Sequence, residues 1–231
     1  MKAEVFLRNF FSLFFPRVCP ACSINLVAEG SCLCAACQAR LPFAHLAEEP
    51  ENPMTQLFWG RVPIETGAPL FFFRKGEKVQ HLIHAFKYKG YREVGPYLGR
   101  IHGHDLKRSA LYQGLDMVVP VPLHPKKERK RGYNQSVLFG QGLAESLGVP
   151  LVENQLLRIV PTASQTRKTR FRRWENVAAV FHIPDLSVFD EKNILLVDDV
   201  ITTGATLEAC CHKLLEAKKV KIWLATIALA Q

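Results

Sequence analysis

The chain has 231 residues and is 48% hydrophobic, an ordinary globular composition long enough for one large core plus a small module. Thirty Lys and Arg against 21 Asp and Glu leave a net charge of +9, which points to an anionic partner such as nucleic acid, an acidic membrane or a polyphosphate. Seven cysteines, an odd number without a convincing export signal, argue against a disulfide framework.

Residues 3–15 hold Phe6, Leu7, Phe10, Phe11, Leu13, Phe14 and Phe15, with Glu4, Arg8 and Ser12 at four-residue intervals. Such spacing predicts a helix with one narrow polar stripe, ended by Pro16. It would pack on the main domain or a partner, or lie in the plane of a membrane surface, which the positive charge assists. No uninterrupted apolar run reaches the roughly 18 residues of a spanning helix. A cytoplasmic protein without a transmembrane segment is expected, peripheral at the inner face of the membrane if the in-plane reading holds.

Cys19-Pro-Ala-Cys22 and Cys34-Ala-Ala-Cys37 form two C-x2-C knuckles. Four thiolates so spaced suit the tetrahedral coordination of one structural Zn²⁺. Cys32 permits ligand swapping with Cys34. A segment this small would not fold without its metal, so residues 1–45 are expected to form an N-terminal helix and zinc module. Residues 46–65, with Glu48, Glu49, Pro50, Glu51 and Pro53, look like a linker.

The main domain is expected over 66–231. Pro69 to Phe73 is an apolar run, and Val79, Leu82, Ile83 and Phe86 mark a helix. Tyr97, Leu98 and Ile101 mark a second. Met117 to Val121 reads as a short strand, Gln135 to Leu147 as a helix ended by Gly148, Lys192 to Val197 as a buried strand, Thr206 to Ala217 as a helix and Val220 to Leu229 as a strand. Strands and helices alternating in this way give an α/β fold with a mostly parallel sheet.

The stretch Ile194 to Thr206 (ILLVDDVITTGAT) carries the chemistry. An apolar strand runs into Asp198 and Asp199, at the carboxyl end where open α/β sheets bind ligands. Thr202, Thr203, Gly204, Ala205 and Thr206 then lead into a helix whose unpaired amides and dipole favour an anion. Gly204 allows close backbone approach. The carboxylates would repel a phosphate but can accept the paired hydrogen bonds of a sugar diol. Donors beside paired acceptors specify a phosphorylated ribose. The stretch also lacks the Gly-Lys-Ser/Thr of a nucleotide P-loop and the Gly-x-Gly-x-x-Gly of a dinucleotide site.

Lys126, Lys127, Arg129, Lys130 and Arg131 follow the 117–121 strand, and Arg167, Lys168, Arg170, Arg172 and Arg173 cluster between Val160 and Phe181. Either run read alone is a solvated or nucleic-acid-contacting loop.

The thirteen-residue stretch resembles the phosphoribosyl-pyrophosphate (PRPP) motif of type I phosphoribosyltransferases. The order of knuckles, HLIHAFKYKGYREVG, VVPVPLHPKKERKRGYNQS, QTRKTRFRRWENVAAVF and VDDVITTGAT resembles the ComF family of bacterial competence proteins over essentially residues 5–231. The resemblance implies a type I phosphoribosyltransferase-like sheet flanked by helices. It puts Asp198 and Asp199 on the ribose 2′- and 3′-hydroxyls, residues 202–206 around the 5′-phosphate, and Mg²⁺ with the PRPP. It also implies a pyrophosphate loop at Lys126, Lys127 and Arg129, and an active-site flap at 160–181. Two functions follow from it. One is an accessory factor of natural transformation, binding PRPP and handling internalised single-stranded DNA, with the uptake helicase as a partner. The other is an active phosphoribosyltransferase with an unknown acceptor.

Overall fold

The computed structural model describes residues 17–26, 31–159 and 180–231. The expected helix over 3–15, and the basic segment as far as residue 179, lie outside these residues. Among the described residues no helix is long and apolar enough to cross a membrane.

In chain order the elements are α1 (Ala35–Arg40), α2 (Pro53–Gln56), β1 (Gly67–Phe73), α3 (Lys78–Tyr88), α4 (Val94–Arg108), β2 (Met117–Pro120), α5 (Pro125–Arg131) and α6 (Gln135–Leu147). Then come β3 (Leu157–Arg158), β4 (Phe181–His182), β5 (Asn193–Ile201), α7 (Ala205–Leu214) and β6 (Lys221–Ala230). Four strands form a parallel sheet in the order β1-β6-β5-β2, and β3 and β4 make a small antiparallel pair.

The four apolar residues before the carboxylates are fully buried because β5 is an inner strand covered on both faces. Leu195 and Val197 join the core built by α3, α4 and α6, while Ile194 and Leu196 join the core of α7 and residues 54–62. The α/β architecture expected from the alternating pattern is present.

Residues 46–65 are not a free linker. Met54, Phe58 and Val62 are buried in the second core. The polar residues there are caps: Asn52 Oδ1 accepts from the amides of Met54 and Thr55, and its Nδ2 donates to the carbonyls of Glu49 and Gly67. The basic segment after β2 is likewise α5, started by His124 and Pro125 and ended by Gly132 at φ 80°. A run read as loop from its charge is helical because Pro at the first turn and Gly at the end supply both stops.

The cysteine module shares the first core with α3 and α4. Phe43 bridges Phe71 in antiparallel fashion, with their rings 4.8 Å apart. The Ala44 amide donates to the Leu70 carbonyl at 2.9 Å. This contact covers the outer edge of β1, which would otherwise offer unpaired backbone groups.

Helices α4 and α6 meet backbone to backbone. A Cβ on Gly99 would lie 2.2 Å from the Phe139 carbonyl, and one on Gly142 2.2 Å from that of Pro96. Replacing either by alanine forces the helices apart, and overpacking of this kind costs about 1–3 kcal/mol. We expect Gly99→Ala to lower the denaturant midpoint accordingly. Equal midpoints for Gly99→Ala and wild type would refute the close approach.

Candidate functional site

The site is built where β5 ends. The strand runs beyond the predicted Val197, so Asp198 and Asp199 belong to it rather than follow it, and Asp198 stands beside Thr226 of β6. Ser136 Oγ and the Asp199 amide both donate to Asp198 Oδ1 at 2.8 Å. The Val200 amide donates to Asp199 Oδ1 at 2.6 Å, and Lys87 Nζ pairs with Asp199 Oδ2 at 2.7 Å. Burial, and then the neighbouring Asp199 charge, push the Asp198 carboxyl up to about 7, against those hydrogen bonds and the Lys87 charge. Asp198 is therefore poised near neutrality.

Residues 202–204 turn sharply and α7 begins at Ala205, with Gly204 in the left-handed region at φ 76°. Thr202, Thr203 and Ala205 are exposed, Thr206 is half-buried and Gly204 is buried. Asp198 and residues 200–207 line a cavity of about 40 Å³, room for a few waters or one small oxyanion. Six of the seven residues predicted along this stretch line this cavity, all but Asp199, with an acceptor at one end and an anion-favouring helix start at the other.

Lys126, Lys127 and Arg129 sit exposed on α5. No hydrogen bond or ion pair among the described residues joins them to the phosphate loop. Their segment nevertheless leaves from the site, since the Val121 amide donates to the Val197 carbonyl at 2.9 Å and Asn134 Nδ2 donates to the Val121 carbonyl at 3.0 Å.

Three side chains escape the sequence reading. Lys87 follows the helical apolar pattern of α3, and nothing in its spacing announces a partner on β5. Ser136 lies at the end of the basic stretch. Arg61, within the supposed linker, donates to the Thr203 carbonyl at 2.9 Å and pairs with Glu208 of α7. It braces the loop from behind, and the Phe58 ring stands 3.2 Å from where a Cβ on Gly204 would be.

In the N-terminal module, the Sγ atoms of Cys19, Cys22, Cys34 and Cys37 all lie within 4.8 Å of one another, and those of Cys22 and Cys34 are 3.6 Å apart. Thiolates about 2.3 Å from a tetrahedral Zn²⁺ would be roughly 3.8 Å apart, so the geometry suits one such ion. Cys32 is buried outside this cluster, which leaves Cys34 as the fourth member. Burial raises the Cys19 thiol, but hydrogen bonds from the backbone of Cys34, Ala21 and Cys22 outweigh it and bring the pKa to about 7. Cys210 and Cys211 are fully buried in α7, and burial pushes both thiols upward.

A family model described as the phosphoribosyl transferase domain matches residues 134–230. The competence protein F of Haemophilus influenzae is 28% identical over 91% of this chain and 96% of its own length. The DNA utilization protein YhgH of Salmonella typhimurium is 32% identical over 62% of this chain and 64% of its own. The competence protein ComFC of Bacillus subtilis is 36% identical over 45% of this chain and 40% of its own. With the parallel sheet, the carboxylate pair and the four-cysteine cluster already in place, the similarity to these competence and DNA utilization proteins and the matched phosphoribosyl transferase domain support a ComF-family type I phosphoribosyltransferase-like protein.

Proposed function

We propose that the protein binds PRPP and acts as an accessory factor in natural transformation, handling single-stranded DNA after its entry into the cell. The carrying observation is the pairing of Asp198 and Asp199 with the residue 202–206 loop at the start of α7. The carboxylates would accept the ribose hydroxyls, while the loop amides and hydroxyls would take the 5′-phosphate. Lys126, Lys127 and Arg129 would reach the diphosphate, which accepts several charge-assisted hydrogen bonds at once. Two carboxylates beside a polyphosphate also fit Mg²⁺ held largely through water; the ion would neutralise the phosphates. Zn²⁺ in the cysteine cluster would be structural.

Transformation enters through the relatives, whose names speak of competence and DNA utilization. Supporting the DNA part are the +9 charge and the exposed Tyr88, which packs against the Arg131 guanidinium at 5.2 Å. A basic surface with an exposed aromatic ring is what single strands need for phosphate neutralisation and base stacking. A polyanion-contacting partner such as an uptake helicase would meet the same face. We expect single-strand affinity to fall steeply with salt, because neutralised phosphates release counterions. Replacing Lys127, Arg129 and Lys130 with alanine should reduce the slope of log K against log salt by about 2 units at about 0.7 per contact. Salt-independent binding, or none at low salt, would remove DNA as a direct partner.

Active phosphoribosyl transfer is the second reading, favoured by a carboxylate pair and phosphate loop with no residue of the thirteen-residue motif missing. Isotope exchange between PRPP and pyrophosphate, run with a panel of acceptors, separates the two. Exchange would establish turnover. Saturable PRPP binding without exchange would establish a ligand-sensing site.

A further inference from the structure

Lys87 lies outside the residues 134–230 that match the transferase family, yet its ammonium sits on a carboxylate of the central motif. The side chains of the pair are only 18% and 14% exposed. A cation so enclosed is costly to leave without a partner, unlike one in a surface ion pair.

The surroundings fix where this lysine can go. It stands in the last turn of α3, and the end of that helix is fastened to the basic segment. Tyr133 donates its hydroxyl hydrogen to the Phe86 carbonyl, and Arg131 Nη2 donates to Tyr88 Oη at 3.3 Å. The Arg92 guanidinium covers the Tyr133 ring at 4.8 Å and donates to the Gly132 carbonyl at 3.2 Å. Lys87 therefore reaches Asp199 from a helix whose end is tied to residues 131–133, next to the segment suited to a diphosphate.

We propose that Lys87 makes the site selective for a ribose 5-phosphate bearing a diphosphate at C1 over one that bears only a hydroxyl there. The inference rests on the reading of Asp198 and Asp199 as diol acceptors. In the free protein Lys87 neutralises Asp199. When the sugar hydroxyls take over that carboxylate, the ammonium is displaced with three unused donors and a flexible four-carbon stem. C1 is bonded to C2, so a diphosphate on C1 is carried on the carbon next to one that bears a hydroxyl of that diol. It offers the nearest new anion. Ribose 5-phosphate brings no such group, and its diol must compete with Lys87 for Asp199 without compensation. The lysine thus links recognition of the sugar to recognition of its leaving group.

The test is calorimetric titration of wild type, Lys87→Met and Lys87→Arg with PRPP and with ribose 5-phosphate, at equal Mg²⁺. Wild type should prefer PRPP, and Lys87→Met should lose at least about tenfold of that preference. The loss should come from weaker PRPP binding, with ribose 5-phosphate unchanged or tighter. Lys87→Arg should recover part of the preference, which a merely structural lysine would not do. Should Lys87→Met fail to fold, Lys87→Gln carries the same comparison. An unchanged ratio in a variant that still binds both ligands overturns the inference alone. Wild type that binds neither ligand overturns it together with the proposed function.

Discussion

Gly204→Val should weaken PRPP and ribose 5-phosphate alike, by a hundredfold or more, while Asp199→Asn should discriminate between a sugar phosphate and a bare phosphate. Gly204 holds φ at 76°, where a β-branched residue is strained by about 1–3 kcal/mol. Its added Cβ would also press on the Phe58 ring at 3.2 Å, behind which Arg61 holds Thr203. Relief must come from the loop itself, and the loop is where the 5′-phosphate amides lie. A total near 3 kcal/mol corresponds to roughly 150-fold in affinity. Asp199→Asn leaves that loop intact and halves the acceptor capacity toward the diol. It should cost PRPP about 1–3 kcal/mol, or roughly 5- to 150-fold, and spare inorganic phosphate. Titration of both variants with PRPP, ribose 5-phosphate and inorganic phosphate separates the two effects. Equal losses for all three ligands in Asp199→Asn would contradict its assignment to the sugar.

The second large effect concerns the metal. Purified protein should carry about one Zn²⁺ per chain. Cys22→Ser removes one of the four clustered thiolates and should abolish stoichiometric metal, whereas Cys32→Ser and Cys210→Ser should retain it, since neither belongs to the cluster. Structural zinc contributes an apparent 10–16 kcal/mol in small metal-folded units, so loss of the ion removes the main support of the knuckles. Cys19, Cys37 and Leu41 share a core with Leu82 and Phe86 of α3. Metal loss should therefore be felt as a lower unfolding temperature of the whole molecule, not of the module alone. Full metal content in Cys22→Ser, measured by elemental analysis, would refute the assignment.

What the sequence revealed depended on how local the signal was. The Ile194–Thr206 stretch is self-contained: four buried residues, two acceptors, a glycine and a helix start all lie within one βα turn. The C-x2-C pairs were legible for the same reason. Arg61 and Lys87 were not, because each acquires its role from a partner across the fold, Thr203 and Asp199, and no periodicity records such a pairing. Residues 46–65 misled in another way. Their acidic and proline-rich composition suggested a linker, yet Met54, Phe58 and Val62 are spaced by four and face the core. The basic run after β2 suggested a loop, although His124, Pro125 and Gly132 together spell a capped helix.

The sheet order carries a kinetic cost. β1 is the first strand of the sheet to be made, and it pairs with β6, the last, through partners such as Gly67 and Leu224. During synthesis at about 5–20 residues per second, β1 waits on the order of ten to thirty seconds for that neighbour. Over this interval Leu70 and Phe71, fully buried in the finished fold, lack the strand that will cover their inner side. The antiparallel contact from Phe43 and Ala44 is available as soon as β1 is made, because both residues precede it in the chain, and it shields the opposite edge of the same strand. Metal-loaded knuckles that emerge first would then act as a template holding β1 extended. A chain starved of zinc during translation should aggregate as a nascent intermediate more readily than the finished protein does after chelation.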